Sequence, residues 1–378
     1  MLAELRKSGG DVAYETEALG LEQDAAGVRV RLRSNDVERT VRATYVVGAD
    51  GAHSVVRHLL GAAFVGAEYR ETFILADIET RGDLPADEMQ LCPHETGALA
   101  CFPMSASRRR IVAMVDLEHS ADPDLPLVQE LLKRHGLGQL QATKLIWGSR
   151  FKIHHRQTPH MRDGRVFLAG DAAHIHSPFG AQGMNTGLQD AWNLAWKLRL
   201  ALGGRATETL LDSYSSERHA VAHQVIRLTD NLTKAMASRN EIAQAIRNRA
   251  IPLLTRMDSF RRLFVQTLSE LSVGYAHSPI VEGKGARAVD APIVAANATR
   301  LYQRLGDRFV LLLPRAHAPD FEALVARFGA AVIEVAERAG NEGAQLVRPD
   351  GYVAFESKNA SDREARAVAA VLEKQLRT

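Results

Sequence analysis

The residues of this chain best placed to do chemistry lie between Gly164 and Leu198, GRVFLAGDAAHIHSPFGAQGMNTGLQDAWNLAWKL. Val166-Phe167-Leu168-Ala169 is a short apolar run of the kind that forms a buried strand, and it delivers Gly170-Asp171 at its carboxyl end. An ionised aspartate only accepts hydrogen bonds, so Asp171 suits a sugar-like hydroxyl rather than a phosphate. A loop rich in glycine and proline follows, and a helix opens near Gly183. The unpaired N–H groups and partial positive charge of a helix start suit a ligand oxygen carrying negative charge. Gly180, Gly183 and Gly187 let the backbone approach a flat ligand with no Cβ in the way. A second strand-turn-helix pattern, YVVGADGAHSVVR, places Asp50-Gly51 ahead of Arg57. His174 and His176 form a His-x-His pair near His154, His155 and His160, a pattern that can bind metal. In a loop the pair need not converge, and no carboxylate follows at helical spacing, so no metal is expected.

The elements that must position these groups are readable from periodicity. Asp11 to Val47 alternates apolar and polar residues as antiparallel strands do, with a hairpin turn at Ser34-Asn35-Asp36. Thr72 to Ile78, Ala98 to Met104, Arg110 to Asp116 and Leu145 to Ile153 read as strands, interrupted by a helical stretch at Leu125 to Leu137. Helix is expected from about Met184 to Leu202, burying Leu188, Ala191, Trp192, Ala195, Leu198 and Leu202, and again from near Ser213 to about Leu271. Arg247, Arg249, Arg256, Arg261 and Arg262 are expected on a solvated face. Further on, Phe309 to Leu313 and Ala331 to Val335 read as strands and Asp320 to Phe328 as a helix. Leu346 to Phe355 reads as a hairpin around Pro349-Asp350-Gly351, and Ser361 with Glu364 as the capping box of a final helix.

The Gly170–Asn185 segment resembles the second FAD-binding motif of the flavin-dependent aromatic hydroxylases, monooxygenases of the para-hydroxybenzoate hydroxylase fold. Asp50-Gly51 with His53-Ser54 and Arg57 resembles their Asp-Gly motif. The resemblance implies that Gly170, Asp171 and Ala172 meet the ribityl chain of FAD. It places Pro178, Gly180, Gly183, Met184 and Asn185 against the flavin ring, and Asp50, Gly51 and Arg57 near the pyrophosphate and the path of NADH or NADPH. His174 is expected to bond the motif's own backbone. No acid or base stands out, so the catalytic side chain is left unknown.

The implied fold is α/β (α+β). An incomplete Rossmann-like FAD-binding domain spans 1–63 and 159–205, with a substrate-binding β-sheet inserted at 64–158. A helical region covers 206–300, and 301–378 resembles the thioredoxin-like carboxyl-terminal domain of the phenol, polyketide and rifampicin hydroxylases, where Arg-Pro-Asp-Gly recurs. The Rossmann-like domain is called incomplete because no strand-GxGxxG-helix unit, ~30 residues as a βαβ element, precedes these motifs. Gly283 to Ala288 is a decoy, since Pro292 follows where a helix is needed.

The implied activity is oxygen transfer from O2 to a small aromatic substrate, phenolic or polyketide-like, with FAD as cofactor and NAD(P)H as reductant. Two alternatives stay open: a flavin reductase or oxidase that inserts no oxygen, and a non-catalytic chain that cannot hold FAD tightly. A formal charge of +2 gives no reason to expect nucleic acid or an anionic membrane as partner, and no apolar run reaches membrane-span length. Cys92 and Cys101 make neither a CxxC pair nor a zinc set, so a reducing, cytoplasmic setting is expected; a homo-oligomer is open. Without a GxGxxG unit, Val46-Val47 and Phe167-Leu168 should lie exposed beside an unpaired strand edge. The chain as written is then expected to purify colourless or with trace flavin. Absorbance near the flavin bands after gel filtration checks this, and one tightly bound FAD per chain would contradict it.

Overall fold

The structure, a computed structural model, describes residues 1–378 except 116–121, 179–181, 239, 296–297, 316, 318, 339–342 and 378. A short helix α1 (Leu2–Lys7) precedes an antiparallel meander of β1 (Thr16–Asp24), β2 (Gly27–Ser34) and β3 (Val37–Ala43). Asn35 and Asp36, the two loop residues between β2 and β3, have φ of 48° and 62°. Left-handed backbone at both positions gives the turn twist that two-residue hairpins require, and Asn and Asp tolerate it.

The two Gly-Asp motifs leave neighbouring strands of one small sheet. β4 (Val46–Gly48) runs parallel to β11 (Val166–Leu168), and β10 (Arg162–Asp163) pairs antiparallel on the far side of β11. Gly48 is required here: a Cβ would lie 2.7 Å from the Cβ of Val56 on α2 (Val55–Leu59). Val47, on the edge strand, is 41% exposed as expected, but Phe167 and Leu168 are buried. β11 is the middle strand, and both residues join a core with Leu194 and Tyr214.

The inserted sheet has the order β12-β9-β5-β8-β7-β6. Its strands are β5 (Val65–Arg81), β6 (Gln90–His94), β7 (Gly97–Pro103), β8 (Arg108–Val115), β9 (Gln141–Gln157) and β12 (His174–Ile175). The helix α3 (Leu125–Arg134) packs Val128, Leu131 and Leu132 against Ile74, Leu99 and Ile111 of the sheet. The expected strand to Asp116 ends in the structure at Val115, and Asp116 lies outside the described residues.

Helices α4 (Gly183–Leu202), α5 (Glu208–Ala237), α6 (Glu241–Thr255) and α7 (Asp258–Leu268) follow. α4 buries the opposite face from the one its apolar pattern suggests. Leu188, Trp192 and Leu202 are 53%, 52% and 64% exposed, and Ala191 and Ala195 are also exposed. Thr186, Asp190, Asn193, Leu194, Trp196, Lys197 and Leu200 are buried instead. Polar residues sit inside because partners on α5 and in the carboxyl-terminal region satisfy them. Arg247 is likewise buried, donating to the carbonyls of Met236 and His94, while the other four arginines of that group are exposed.

The carboxyl-terminal sheet has the order β14-β13-β16-β15-β17-β18. It comprises β13 (Pro292–Ala295), β14 (Ala298–Arg300), β15 (Phe309–Leu313), β16 (Ile333–Glu337), β17 (Gln345–Val347) and β18 (Val353–Glu356), with α8 (Asp320–Phe328) and α9 (Asp362–Glu373). β15 and β16 are parallel, and β17 and β18 form the hairpin around Pro349-Asp350-Gly351. The capping box of Ser361 and Glu364 starts α9, whose Val368, Val371 and Leu372 are buried. β16 starts two residues later than the expected Ala331.

The hairpin turn is tied to the helices by buried charge. Arg348 donates through Nη1 and Nη2 to Glu217 of α5 at 2.5 and 2.9 Å. Glu217 also accepts from Lys197 at 2.9 Å, Asn193 at 2.7 Å and Ser278 at 2.5 Å. Burial alone would raise the Glu217 carboxyl, but Arg348 and Lys197 outweigh it and hold it far below the usual carboxylate range. A depressed folded-state pKa contributes stability above the unfolded value of ~4.3, which is lost as pH falls below it. Glu217→Gln should therefore lower stability at pH 7 by about 3–5 kcal/mol and flatten the acid limb of the pH–stability curve. Urea titrations from pH 3 to pH 7 check this, and an unchanged acid limb would contradict it.

Candidate functional site

Gly170 follows β11 with φ 57° and meets α4 at its glycine: a Cβ on Gly187 would lie 3.5 Å from the Cα of Gly170. That is ordinary van der Waals contact, so the turn packs directly on the helix backbone here. Asp171 then stands exposed, with no hydrogen-bond partner among the described residues, and lines a cavity of about 950 Å³. The cavity runs between this turn, Ala52 and His53 after the first motif, Gly183 and Met184 at the start of α4, and Phe102, Arg110, Phe151, Lys152, His154 and Arg156 of the inserted sheet. Pro178 lines it as well, while Gly180 lies outside the described residues. Asn185 is half-buried in the first turn of α4 and is not among the lining residues.

The two motifs are bridged by Arg57. It is 3% exposed and donates Nη1 to the carbonyl of Ala172 at 3.0 Å and Nη2 to that of Ala52 at 2.8 Å, with its guanidinium 3.9 Å from the centre of the Phe64 ring. Burial lowers its pKa, partly offset by the charge of Asp50. Asp50 itself is engaged: Oδ1 accepts from Ser54 at 2.5 Å and Oδ2 from the Val56 amide at 3.1 Å, which anchors the start of α2. Its burial raises the carboxyl pKa, and these bonds more than reverse that. Gly51, with φ 82°, permits the turn between them.

The residue that pattern reading missed is Asp190. Its Oδ2 accepts from the Gly170 amide at 2.9 Å and lies 2.7 Å from His174 Nε2, while Oδ1 accepts from Arg218 Nε at 2.6 Å. His174 thus holds a side chain on α4, not the backbone of its own loop. Burial would raise the Asp190 carboxyl, but Arg218 and His174 overcome it and lower its pKa. The one signal in the sequence was an acidic residue in the interior of a helix whose other charges are basic. His176 has Nδ1 bonded to the Ser177 carbonyl and Nε2 buried without a partner among the described residues.

Comparison with known proteins agrees with this geometry. A profile described as an FAD-binding domain matches residues 1–229, and one described as the carboxyl-terminal domain of aromatic-ring hydroxylases matches 282–376. An uncharacterized aromatic compound monooxygenase of Bacillus subtilis is 36% identical over 366 residues, covering 93% of this chain and 72% of that protein. Rifampicin monooxygenase of Streptomyces venezuelae is 34% identical over 365 residues, covering 94% and 73%. The solved structure of the anhydrotetracycline hydroxylase OxyS from Streptomyces rimosus superposes with a TM-score of 0.79 at 30% identity, over 99% of this chain and 77% of that one. The chain therefore belongs to the FAD-dependent aromatic-ring hydroxylases, oxidoreductases that use NAD(P)H and O2. Among the described residues no helix is long and apolar enough to cross a membrane.

Asp190→Asn leaves Arg218 buried opposite a neutral amide. A loss of about 3–5 kcal/mol is expected, with a smaller loss for His174→Gln, which keeps a donor of similar reach. Chemical denaturation of both variants ranks them, and equal losses would place the weight on His174 instead.

Proposed function

We propose that the cavity beside Asp171 holds the ribityl chain and ring of FAD, and that an apolar extension of it takes a phenolic, multi-ring aromatic substrate. One observation carries the reading: a carboxylate with no hydrogen-bond partner among the described residues, at the carboxyl end of a buried strand, on a turn that touches a helix through two glycines, opening into a large cavity. Bound there, FAD would supply the oxygen-transfer chemistry. The chain's own groups bind, orient and exclude water.

Asp171 accepts from a ribityl hydroxyl, and Gly170 brings the backbone close. Pro178, Gly183 and Met184 shape the bed of the ring. The amides at the start of α4 favour negative charge on the ring edge that faces them. The buried Nε2 of His176 supplies a further polar contact within the cavity, and Arg57 holds the two motifs in register through Ala52 and Ala172. Asp50 and Gly51 set the turn beside the approach of NADH or NADPH.

The extension, about 100 Å³, shares Phe102, Val112 and Pro178 with the main cavity. Its further lining is Met89, Leu91 and Ala100 of the sheet side with Leu232, Met236, Phe264 and Leu268 of α5 and α7. Among the described residues no polar side chain lines it, so it suits the unsubstituted edge of an aromatic ligand and leaves the hydroxylated edge near the flavin bed. Two of the relatives are named as a rifampicin monooxygenase and an anhydrotetracycline hydroxylase. The division into flavin-binding (1–63, 159–205), sheet (64–158), helical (206–300) and carboxyl-terminal (301–378) parts follows the same reading.

Asp171→Ala removes the ribityl acceptor and should weaken FAD by about 1–3 kcal/mol, roughly 5- to 150-fold in Kd. Quenching of FAD fluorescence on titration with wild type and variant measures it. Equal affinities would sink the assignment of Asp171.

A further inference from the structure

The carboxyl end of α7 abuts the amino end of α4. Gln182, the residue that caps α4, donates Nε2 to the carbonyl of Thr267 in the last turn of α7 at 2.8 Å. α7 closes with a paired-bond turn: the Glu270 amide donates to Thr267 at 3.1 Å and the Leu271 amide to Gln266 at 3.2 Å. The residue between, with φ 55°, takes the left-handed conformation that this turn normally assigns to glycine. In this chain it is a glutamate, and it is 2% exposed.

What the carboxyl reaches explains its presence. Its Oε1 lies 2.6 Å from Thr186 Oγ1 in the first turns of α4, and the same hydroxyl lies 2.9 Å from the carbonyl of Gln182. A carbonyl only accepts and a threonine hydroxyl has one proton. Both contacts are satisfied when Thr186 donates to Gln182 and the carboxylic acid of Glu270 donates to Thr186. The other oxygen, Oε2, is buried without a partner among the described residues, a poor place for a full negative charge. Burial pushes the Glu270 carboxyl up. Arg218 on α5 and His174 on β12 pull it down, as a hydrogen bond donated by Thr186 would, and Asp190 on α4 adds to the rise.

We propose that Glu270 is a positioning residue, a neutral carboxylic acid that latches α7 onto the first turn of α4. α7 supplies Phe264 and Leu268 to the apolar extension, and α4 carries the glycine loop, so the latch sets the spacing between those two walls. That consequence for substrate rests on the function proposed above; the latch itself does not.

A group whose folded-state pKa is raised contributes stability that is full below its unfolded value of ~4.3 and is lost as pH rises through the folded value. The test uses the whole chain without added flavin. Glu270→Gln keeps a donor for Thr186 and cannot ionise; Glu270→Gly suits the backbone and removes the latch. Thermal midpoints are measured from pH 5 to pH 8, with amide hydrogen exchange of residues 258–268 at each pH. Wild type should lose at least about 2 °C more than Glu270→Gln across that range. Glu270→Gly should stay folded while α7 exchanges several-fold faster at every pH. Parallel wild-type and Glu270→Gln profiles would overturn the neutral acid, and wild-type protection of α7 in Glu270→Gly would overturn the latch. Neither result bears on Asp171, whose flavin titration stands or fails separately.

Discussion

Everything near the site depends on charge buried along the inner face of α4. Thr186, Asp190, Asn193 and Lys197 each reach a partner on another element: Glu270, Arg218 with Gly170 and His174, Glu217 with Asp350, and Glu217 again. Isolated, each ion would be expelled into water or neutralised. Together they are satisfied only when α4, α5, the Gly170 turn and the Arg348–Asp350 hairpin are all in place. Such a network adds little net stability over an apolar core, but it admits very few alternative arrangements, because any slip strands a buried charge.

That requirement gives the carboxyl-terminal region a place in the architecture that its lack of cysteine leaves open. Arg348 and Asp350 sit at one end of the network and the Gly170 amide near the other, joined through adjacent residues of α5, Glu217 and Arg218. The turn that presents Asp171 is thus braced from beneath by a helix that the carboxyl-terminal hairpin itself grips. From the side it is braced by β12, whose His174 and Ile175 pair with Gln157 and Arg156 of the inserted sheet. The site lies where two sheets and a helix start meet, which is why its lining residues come from positions 52 to 184 of the chain.

Much of this was legible in the amino-acid sequence. Local signals identified the meander with its Asn35-Asp36 turn, four of the six strands of the inserted sheet, the starts of α3, α4 and α8 and the capping box at Ser361, because hairpin twist, alternation and capping are set by neighbours a few residues apart; the stretch expected as one helix from near Ser213 is three helices, the first starting at Glu208. The glycine motif revealed Asp171 and its loop for the same reason: the turn, the strand before it and the helix after it are contiguous. The buried face of α4 was not legible. Leu188, Ala191, Trp192, Ala195 and Leu202 make the stronger apolar stripe, and hydrophobic periodicity alone chooses them.

What the sequence by itself determined is most of the longer elements, the flavin-type motifs and the class of chemistry, since each rests on short-range geometry or on a distinctive string of residues. What only the tertiary structure decided is which polar residues are inside. Asp190, Glu217 and Arg348 stand far apart in the sequence, and only the fold brings them into one network across 158 positions, from 190 to 348. Burying an ion is favourable only opposite a partner, and the partner's position is a property of the assembled chain. Phe167 and Leu168 are buried for a related reason: a strand's exposure depends on how many neighbours the sheet gives it, and β10 and β4 flank β11 on both sides.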